Sequence, residues 1–315
     1  MNVKEYLRLA TDNLKNSNIE TPVLEAGVIL CHVLKCDRTY LYSHDDRVLK
    51  QEELEVLDSL IEKRAKNVPL QYLIGKTEFM SLPFVVSPAV LIPRQDTEIL
   101  VEKCIELIDQ RSRSAQGQEL NTNSLESPDV TVKADRTFQY KMKVLDMCTG
   151  SGCIAISIAH YCPESTCVAC DISQDALRIA SINSELNGVQ NRLELRLGDL
   201  FGALESESEQ FDLIVSNPPY IETDVMSQLQ AEVKDYEPQL ALEGGLDGLD
   251  FYRRIIDTAP HYLNNGGYLA FEIGYNQGQR VSDLMKNSFE HIEVYKDICG
   301  NDRVVIGQVQ SVRNS

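Results

Sequence analysis

Four consecutive residues, Asn217-Pro218-Pro219-Tyr220, could do chemistry by type and spacing alone. Each proline fixes φ at about −65°, lacks an N–H, and restricts the residue before it to extended backbone. Asn217 and Pro218 are therefore held extended, and the chain cannot run on into a helix. Two acceptors stand at fixed positions, the side-chain oxygen of Asn217 and the main-chain carbonyl of Pro218. The ring of Tyr220 follows. This set suits a planar –NH2 group, with two N–H donors meeting two acceptors and the plane stacked on an aromatic ring. A plain proline-rich turn would look the same in isolation; the residues that precede the corner distinguish the two.

The corner ends an apolar, β-branched run, Phe211 to Val215, of strand length. Similar runs occur at Val144–Met147, Thr166–Cys170, Leu193–Leu197, Gly267–Ile273, His291–Tyr295 and Val304–Val309, with helical patterns between most of them. Short apolar strands alternating with helices predict an α/β fold with a mostly parallel sheet covered on both faces. Ligands of such sheets bind beyond the C-terminal ends of the strands.

Chemistry-bearing residues recur at those ends. Asp146 lies inside the first strand, and Cys148-Thr149-Gly150-Ser151-Gly152 makes a turn before a helix. The glycines permit close backbone approach, and the amides at the helix start favour a carboxylate or phosphate. The pattern is neither a full GxGxxG nor a Walker loop. Asp146 can receive a cationic amine or orient the loop. Asp171, at the end of the second strand, can accept both hydroxyls of a ribose. After the third strand, Asp199 can take a purine amine while Leu200 and Phe201 flank the base. An amino-acid end, a ribose and an adenine, in that order, describe S-adenosylmethionine. Asn217 would then also border that ligand, opposite its methyl group.

Residues 1 to about 75 read as amphipathic helices without chemistry of their own. From Gln71 to Pro93 the composition turns β-branched, aromatic and proline-punctuated, as in a hairpin or extended linker. Thr97–Ile108 is an amphipathic helix. Residues 111–140 are polar and unpatterned, and a flexible surface insertion is expected there.

Composition limits the readings. The chain has 315 residues, 43% of them hydrophobic, and no apolar run long enough to span a membrane, so a soluble cytoplasmic protein is expected. Forty-eight acidic residues against 30 basic give a net charge of −18. This argues against a broad phosphate-binding surface and for a protein partner rather than nucleic acid. Nine cysteines in a long chain of this kind do not suggest a disulfide framework. Cys167 and Cys170 have CxxC spacing, but on a strand residues i and i+3 face opposite sides, so structural thiols and no metal site are expected. The five histidines form no cluster near the corner. Nothing calls for an obligate dimer, and a monomer is expected.

The C-terminal two-thirds resembles a class I S-adenosylmethionine-dependent methyltransferase, and the whole chain resembles the bacterial release-factor glutamine methyltransferases, the HemK/PrmC family. Besides the Asn217–Tyr220 corner, three stretches carry the likeness. Tyr72-Leu73-Ile74-Gly75 with Glu78-Phe79 and Leu82-Pro83-Phe84 is similar to the family's hairpin linker. Leu91-Ile92-Pro93-Arg94-Gln95-Asp96-Thr97-Glu98 is similar to its I-P-R-P-E-T-E signature. Glu237-Pro238-Gln239-Leu240-Ala241-Leu242 with Gly244-Gly245-Leu246-Asp247-Gly248-Leu249 is similar to its E-P-x-x-A-L-x-G-G-x-D-G-L segment. The resemblance implies a Rossmann-like seven-stranded methyltransferase domain over residues 94–315. It also implies a small all-helical substrate-recognition domain over 1–75 and a β-hairpin linker over 76–93.

The implied activity is methylation of the glutamine side-chain amide in the Gly-Gly-Gln motif of peptide chain release factors. Asn217, Pro218 and Tyr220 would be catalytic, and Asn217 to Tyr220 would bind the substrate. The cofactor would lie against Asp146, Cys148 to Gly152, Asp171, Asp199, Leu200 and Asn217. The chain departs from the family's D-L-G-T-G-S-G at Met147 and Cys148, where a turn is kept if φ of Cys148 is negative. Gln95-Asp96 stands for Pro-Glu, and the 111–140 insertion is longer than the usual connection. Two other readings share parts of the pattern: an adenine N6-methyltransferase, whose exocyclic amine is also planar, and a non-catalytic cofactor-binding scaffold.

Overall fold

A computed structural model describes residues 1–122 and 141–310. It divides into two compact units. One comprises Met1–Lys76, Val86–Pro88 and Leu229–Glu237. The other comprises Thr77–Val85, Ala89–Gln228 and Pro238–Ser315.

The first unit is helical: α1 (Val3–Asn16), α2 (Pro22–Leu34), α3 (Arg38–Ser43), α4 (Gln51–Ala65) and α5 (Leu70–Ile74). Helix α1 starts with a reciprocal cap, in which the Asn2 side chain accepts from Glu5 N at 2.8 Å and Asn2 N donates to Glu5 Oε2 at 3.0 Å. Its buried face, Val3, Tyr6, Ala10 and Leu14, packs with Ile29 and Leu30 of α2 and Leu57 and Ile61 of α4. The extended reading from Gln71 onward thus starts too early, because Leu70–Ile74 forms one more helical turn, ended by Gly75 in the left-handed region. A late segment joins this unit. Arg64, 4% exposed, pairs with Glu25 of α2 and with Glu232 at 2.5 Å. Glu232 lies on the short helix Ala231–Tyr236. Nothing in the sequence pattern around residue 232 signals that partner.

In the second unit β1 (Lys76–Phe79) and β2 (Leu82–Val85) make a two-stranded sheet. Asn183 holds it in place, accepting from Val85 N at 2.7 Å and donating to Val85 O at 3.0 Å. Phe79 and Phe84 pack edge to face in the core. Helix α6 runs Asp96–Thr122, so the first part of the expected insertion is helix; residues 123–140 lie outside the described residues.

Then follow β3 (Lys143–Met147), α7 (Cys153–Tyr161), β4 (Thr166–Asp171), α8 (Gln174–Leu186), β5 (Leu193–Leu197) and β6 (Phe211–Ser216). The remainder is α9 (Ala231–Tyr236, in the helical unit), α10 (Asp250–Tyr262), β7 (Leu263–Glu272), α11 (Gly278–Met285), β8 (Phe289–Lys296) and β9 (Asp302–Val309).

The seven strands order as β5-β4-β3-β6-β7-β9-β8. The first five are parallel, and β9 runs antiparallel to both of its neighbours. Burial on both faces explains the continuous apolar runs; β6 is buried at every position. One face packs on α6 and α7 through Leu100, Val101, Ile154 and Ile158; the other packs on α10 and α11 through Tyr252, Ile255 and Val281. Cys167 falls in the first core and Cys170 in the second, as strand alternation requires. The chain goes from β3 outward to β5, then returns to β6 on the other side of β3. That reversal is where a crevice opens in such sheets, and both the glycine loop and the Asn-Pro-Pro-Tyr corner stand at it.

Candidate active site

Register sets the site. Met147 pairs with Ser216 across β3 and β6, and the Ser216 hydroxyl donates to Met147 O at 2.7 Å. The residues that follow, Cys148 and Asn217, therefore leave the sheet side by side. A cavity of about 230 Å³ lies there, within the second unit. Of the sequence-named residues, Cys148, Thr149, Gly150, Ser151, Asp171, Asp199, Leu200, Asn217 and Pro219 line it. Asp146, Gly152, Pro218 and Tyr220 are not among its lining residues.

Asp146 is fully buried. Its Oδ2 accepts from the Thr149 hydroxyl at 2.6 Å and from Ala155 N at 3.2 Å, while Oδ1 has no partner among the described residues. It thus orients the loop from beneath. Burial pushes its carboxyl up to about 7, against the two hydrogen bonds that favour the charged form. Cys148 has φ +59°, not the negative value expected. The loop needs a left-handed residue where a glycine would be strain-free, and the cysteine bears a cost of about 1–2 kcal/mol. Its thiol is pushed well up by burial and by nearby Asp171, which makes it a poor nucleophile.

Asp171 Oδ2 accepts from Gly150 N and Oδ1 from Ser173 N, both at 2.9 Å, which ties β4 to the glycine loop. Asp171 also lines the cavity, and its two oxygens have acceptor capacity beyond these bonds. Asp199 is paired with Arg254 at 2.6 Å, so its carboxylate already serves a cation that the sequence reading missed. Phe201 does not flank the cavity as expected. It stacks on Tyr262, with ring centroids 4.9 Å apart, because the 3-10 turn after Asp199 points it into the α10 side of the core. Leu240 and Phe251, beyond the corner, supply apolar lining instead.

The corner is braced from outside. Ile221 N donates to Leu242 O at 2.9 Å and Gly244 N to Ile221 O at 2.8 Å. A Cβ on Gly244 would sit 2.6 Å from Tyr220 Cα and 2.7 Å from Pro219 O, so only glycine allows this approach. Buried Gln277 donates to Tyr220 O and Gly248 O, both at 3.1 Å. The glycine-rich segment 244–249 is thus the outer wall of the corner. Inside, Asn217 Nδ2 lies 3.5 Å from the hydroxyl of buried Thr97.

The residues fit an S-adenosyl ligand. Carboxylates stand at the ends of two adjacent strands, Asp171 and the glycine loop both line the cavity, and the loop offers backbone amides. If Asp171 holds a ribose, Asp171→Ala weakens cofactor binding by about 1.5–3 kcal/mol, the scale of hydrogen bonds to a charged group. Isothermal titration calorimetry reads this directly, and an unchanged affinity would remove the assignment.

A family model described as "Methyltransferase small domain" matches residues 132–300, and the sheet domain is accordingly a methyltransferase domain. A second model, "PrmC N-terminal domain", matches residues 5–75. The release factor glutamine methyltransferase of Clostridium acetobutylicum is 40% identical over 307 residues, which is 97% of this chain and 98% of that one. Its counterpart in Thermodesulfovibrio yellowstonii is 41% identical, covering 91% and 92%. That of Geobacter sulfurreducens is 38% identical, covering 98% and 96%. The chain belongs to the release factor glutamine methyltransferase family.

Proposed function

We propose that the protein transfers a methyl group from S-adenosylmethionine to the side-chain amide nitrogen of a glutamine in peptide chain release factors. The observation that carries this is the opening of the Asn217 corner and the glycine loop into one cavity, in a chain of this family. The cofactor supplies an electrophilic methyl on a sulfonium. The chain's own work is positional. Asn217 Oδ1 and Pro218 O accept the two N–H groups of the glutamine amide and aim its nitrogen. Tyr220 holds the corner through its backbone contacts and bounds the amide plane. An amide nitrogen is a weak nucleophile, and fixed alignment away from water offsets that by up to about 7–11 kcal/mol. Glycine-loop amides and Asp171 hold the amino-acid and ribose ends. Residues 1–75 recognise the release factor, and the enzyme acts as a cytoplasmic monomer without nucleic acid.

No helix among the described residues is long and apolar enough to cross a membrane. The −18 charge supports a protein substrate over a polyphosphate one. The test is methyl-labelled cofactor incubated separately with release factor, with a release factor whose Gly-Gly-Gln glutamine is alanine, and with nucleic acid. Label is expected on the first alone. Label on nucleic acid would instead support adenine N6 chemistry.

A further inference from the structure

Glu272 closes β7, the strand parallel to β6. Ser216 pairs with Phe271 across these strands, which brings Glu272 alongside Asn217. The carboxyl is 2% exposed. Thr97 and Asn217 are the polar side chains that act on it, and its Oε2 has no hydrogen-bond partner among the described residues. The charged and titratable groups facing it are Asp96 of α6, Arg303 of β9, Tyr220 of the corner, Cys153 of α7 and Tyr252 of α10.

The carboxamide of Asn217 has two ends of nearly equal shape and opposite hydrogen-bonding sense. Only one orientation presents an acceptor to an incoming amide; the other sets N–H against N–H. We propose that Glu272 is a positioning residue: its carboxylate accepts from Asn217 Nδ2 and so turns Asn217 Oδ1 toward the substrate amide. An ionised carboxylate only accepts, so it enforces that choice. A protonated carboxyl can donate to Oδ1 and occupy the acceptor the substrate needs.

Burial is the largest influence on Glu272 and pushes it up to about 7, against Thr97, Arg303 and Asn217, which favour the charge. The folded value stands above the unfolded one. The native state therefore loses relative stability as pH rises to about 7, and holding the charge there is a cost. A purely structural role would be served better by a neutral isostere.

The inference rests on the amide-methylation reading, and its test separates the two. Glu272→Gln is expected to keep or raise the melting temperature and to keep cofactor affinity by calorimetry. It should lower kcat by about 10–100-fold, the scale of one hydrogen bond to a charged group. The wild-type fall in kcat below pH about 7 should be absent from the variant. A kcat within twofold of wild type at every pH would overturn the proposal, as would a loss that follows a lowered melting temperature or weakened cofactor binding. If wild-type protein methylates no release factor, the earlier reading fails, but this one is still decided in ligand-free protein. The side-chain amide resonances of Asn217 should shift with a midpoint near pH 7 in wild type and not in Glu272→Gln; their failure to do so overturns it.

Discussion

Asn217→Ala lowers turnover of release factor by about 10²–10³-fold, the scale for deleting one preoriented hydrogen-bonding group at a reacting centre. Cofactor affinity stays within a few fold, because the glycine loop and Asp171 are held by their own hydrogen bonds, Gly150 N to Asp171 and Thr149 to Asp146. The fold is retained as well. Asn217 is the one member of the corner proposed to hydrogen-bond the substrate through its side chain; Pro218 acts through its carbonyl, Pro219 through backbone shape, and Tyr220 is held through its main chain by Gly244 and Gln277. Steady-state methylation with calorimetry on the same preparation checks it. Full activity in the variant would end the corner mechanism, while a matching loss of cofactor affinity would move Asn217 to the cofactor side.

Arg64→Ala costs the helical unit about 3–5 kcal/mol, the penalty for leaving a buried charge without its partner. Arg64 and Glu25 are 4% and 8% exposed, and the guanidinium also serves Glu232 and the Val68 carbonyl at 3.2 Å. Removing it leaves buried Glu25 with the Thr21 hydroxyl, at 3.1 Å, in place of a cation. Urea unfolding followed by circular dichroism reads the loss. Arg64→Met with Glu25→Leu should recover most of it, since a well-packed apolar pair avoids desolvating charge. A single-variant loss below about 1 kcal/mol would show the pair to be energetically idle, as exposed pairs often are.

The fold was largely legible because burial on both faces leaves a plain signature. Five of the seven sheet strands were visible as short apolar runs, β5 as the alternating Leu-Glu-Leu-Arg-Leu, and the largely exposed β8 as a weaker signal. The glycine loop and strand-end acids showed for the same reason: an acid in an otherwise apolar run has to have a use. By that signal Glu272 was equally visible, since it follows Leu269-Ala270-Phe271 and precedes Ile273. It was missed because no local spacing ties it to residue 217; only strand pairing does. The Asp199–Arg254 pair and the turning of Phe201 toward Tyr262 were hidden likewise, each set by how α10 packs. The positive φ of Cys148 was misread because residue identity argues against it, and the surrounding loop overrides that preference.

The braces on the corner carry a further consequence, for exchange with solvent. The amide protons of Ile221 and Gly244 are each spent on the other's strand of the 221–243 bridge, and the segment leads directly into α10, whose Tyr252 and Ile255 are fully enclosed. Opening that bridge means unseating the first turn of α10, so these amides should report a subglobal opening rather than loop fraying. The corner's fixed shape is then inherited in part from α10, and substitution of its core-facing Tyr252, which does not line the cavity, can slow catalysis by loosening the corner.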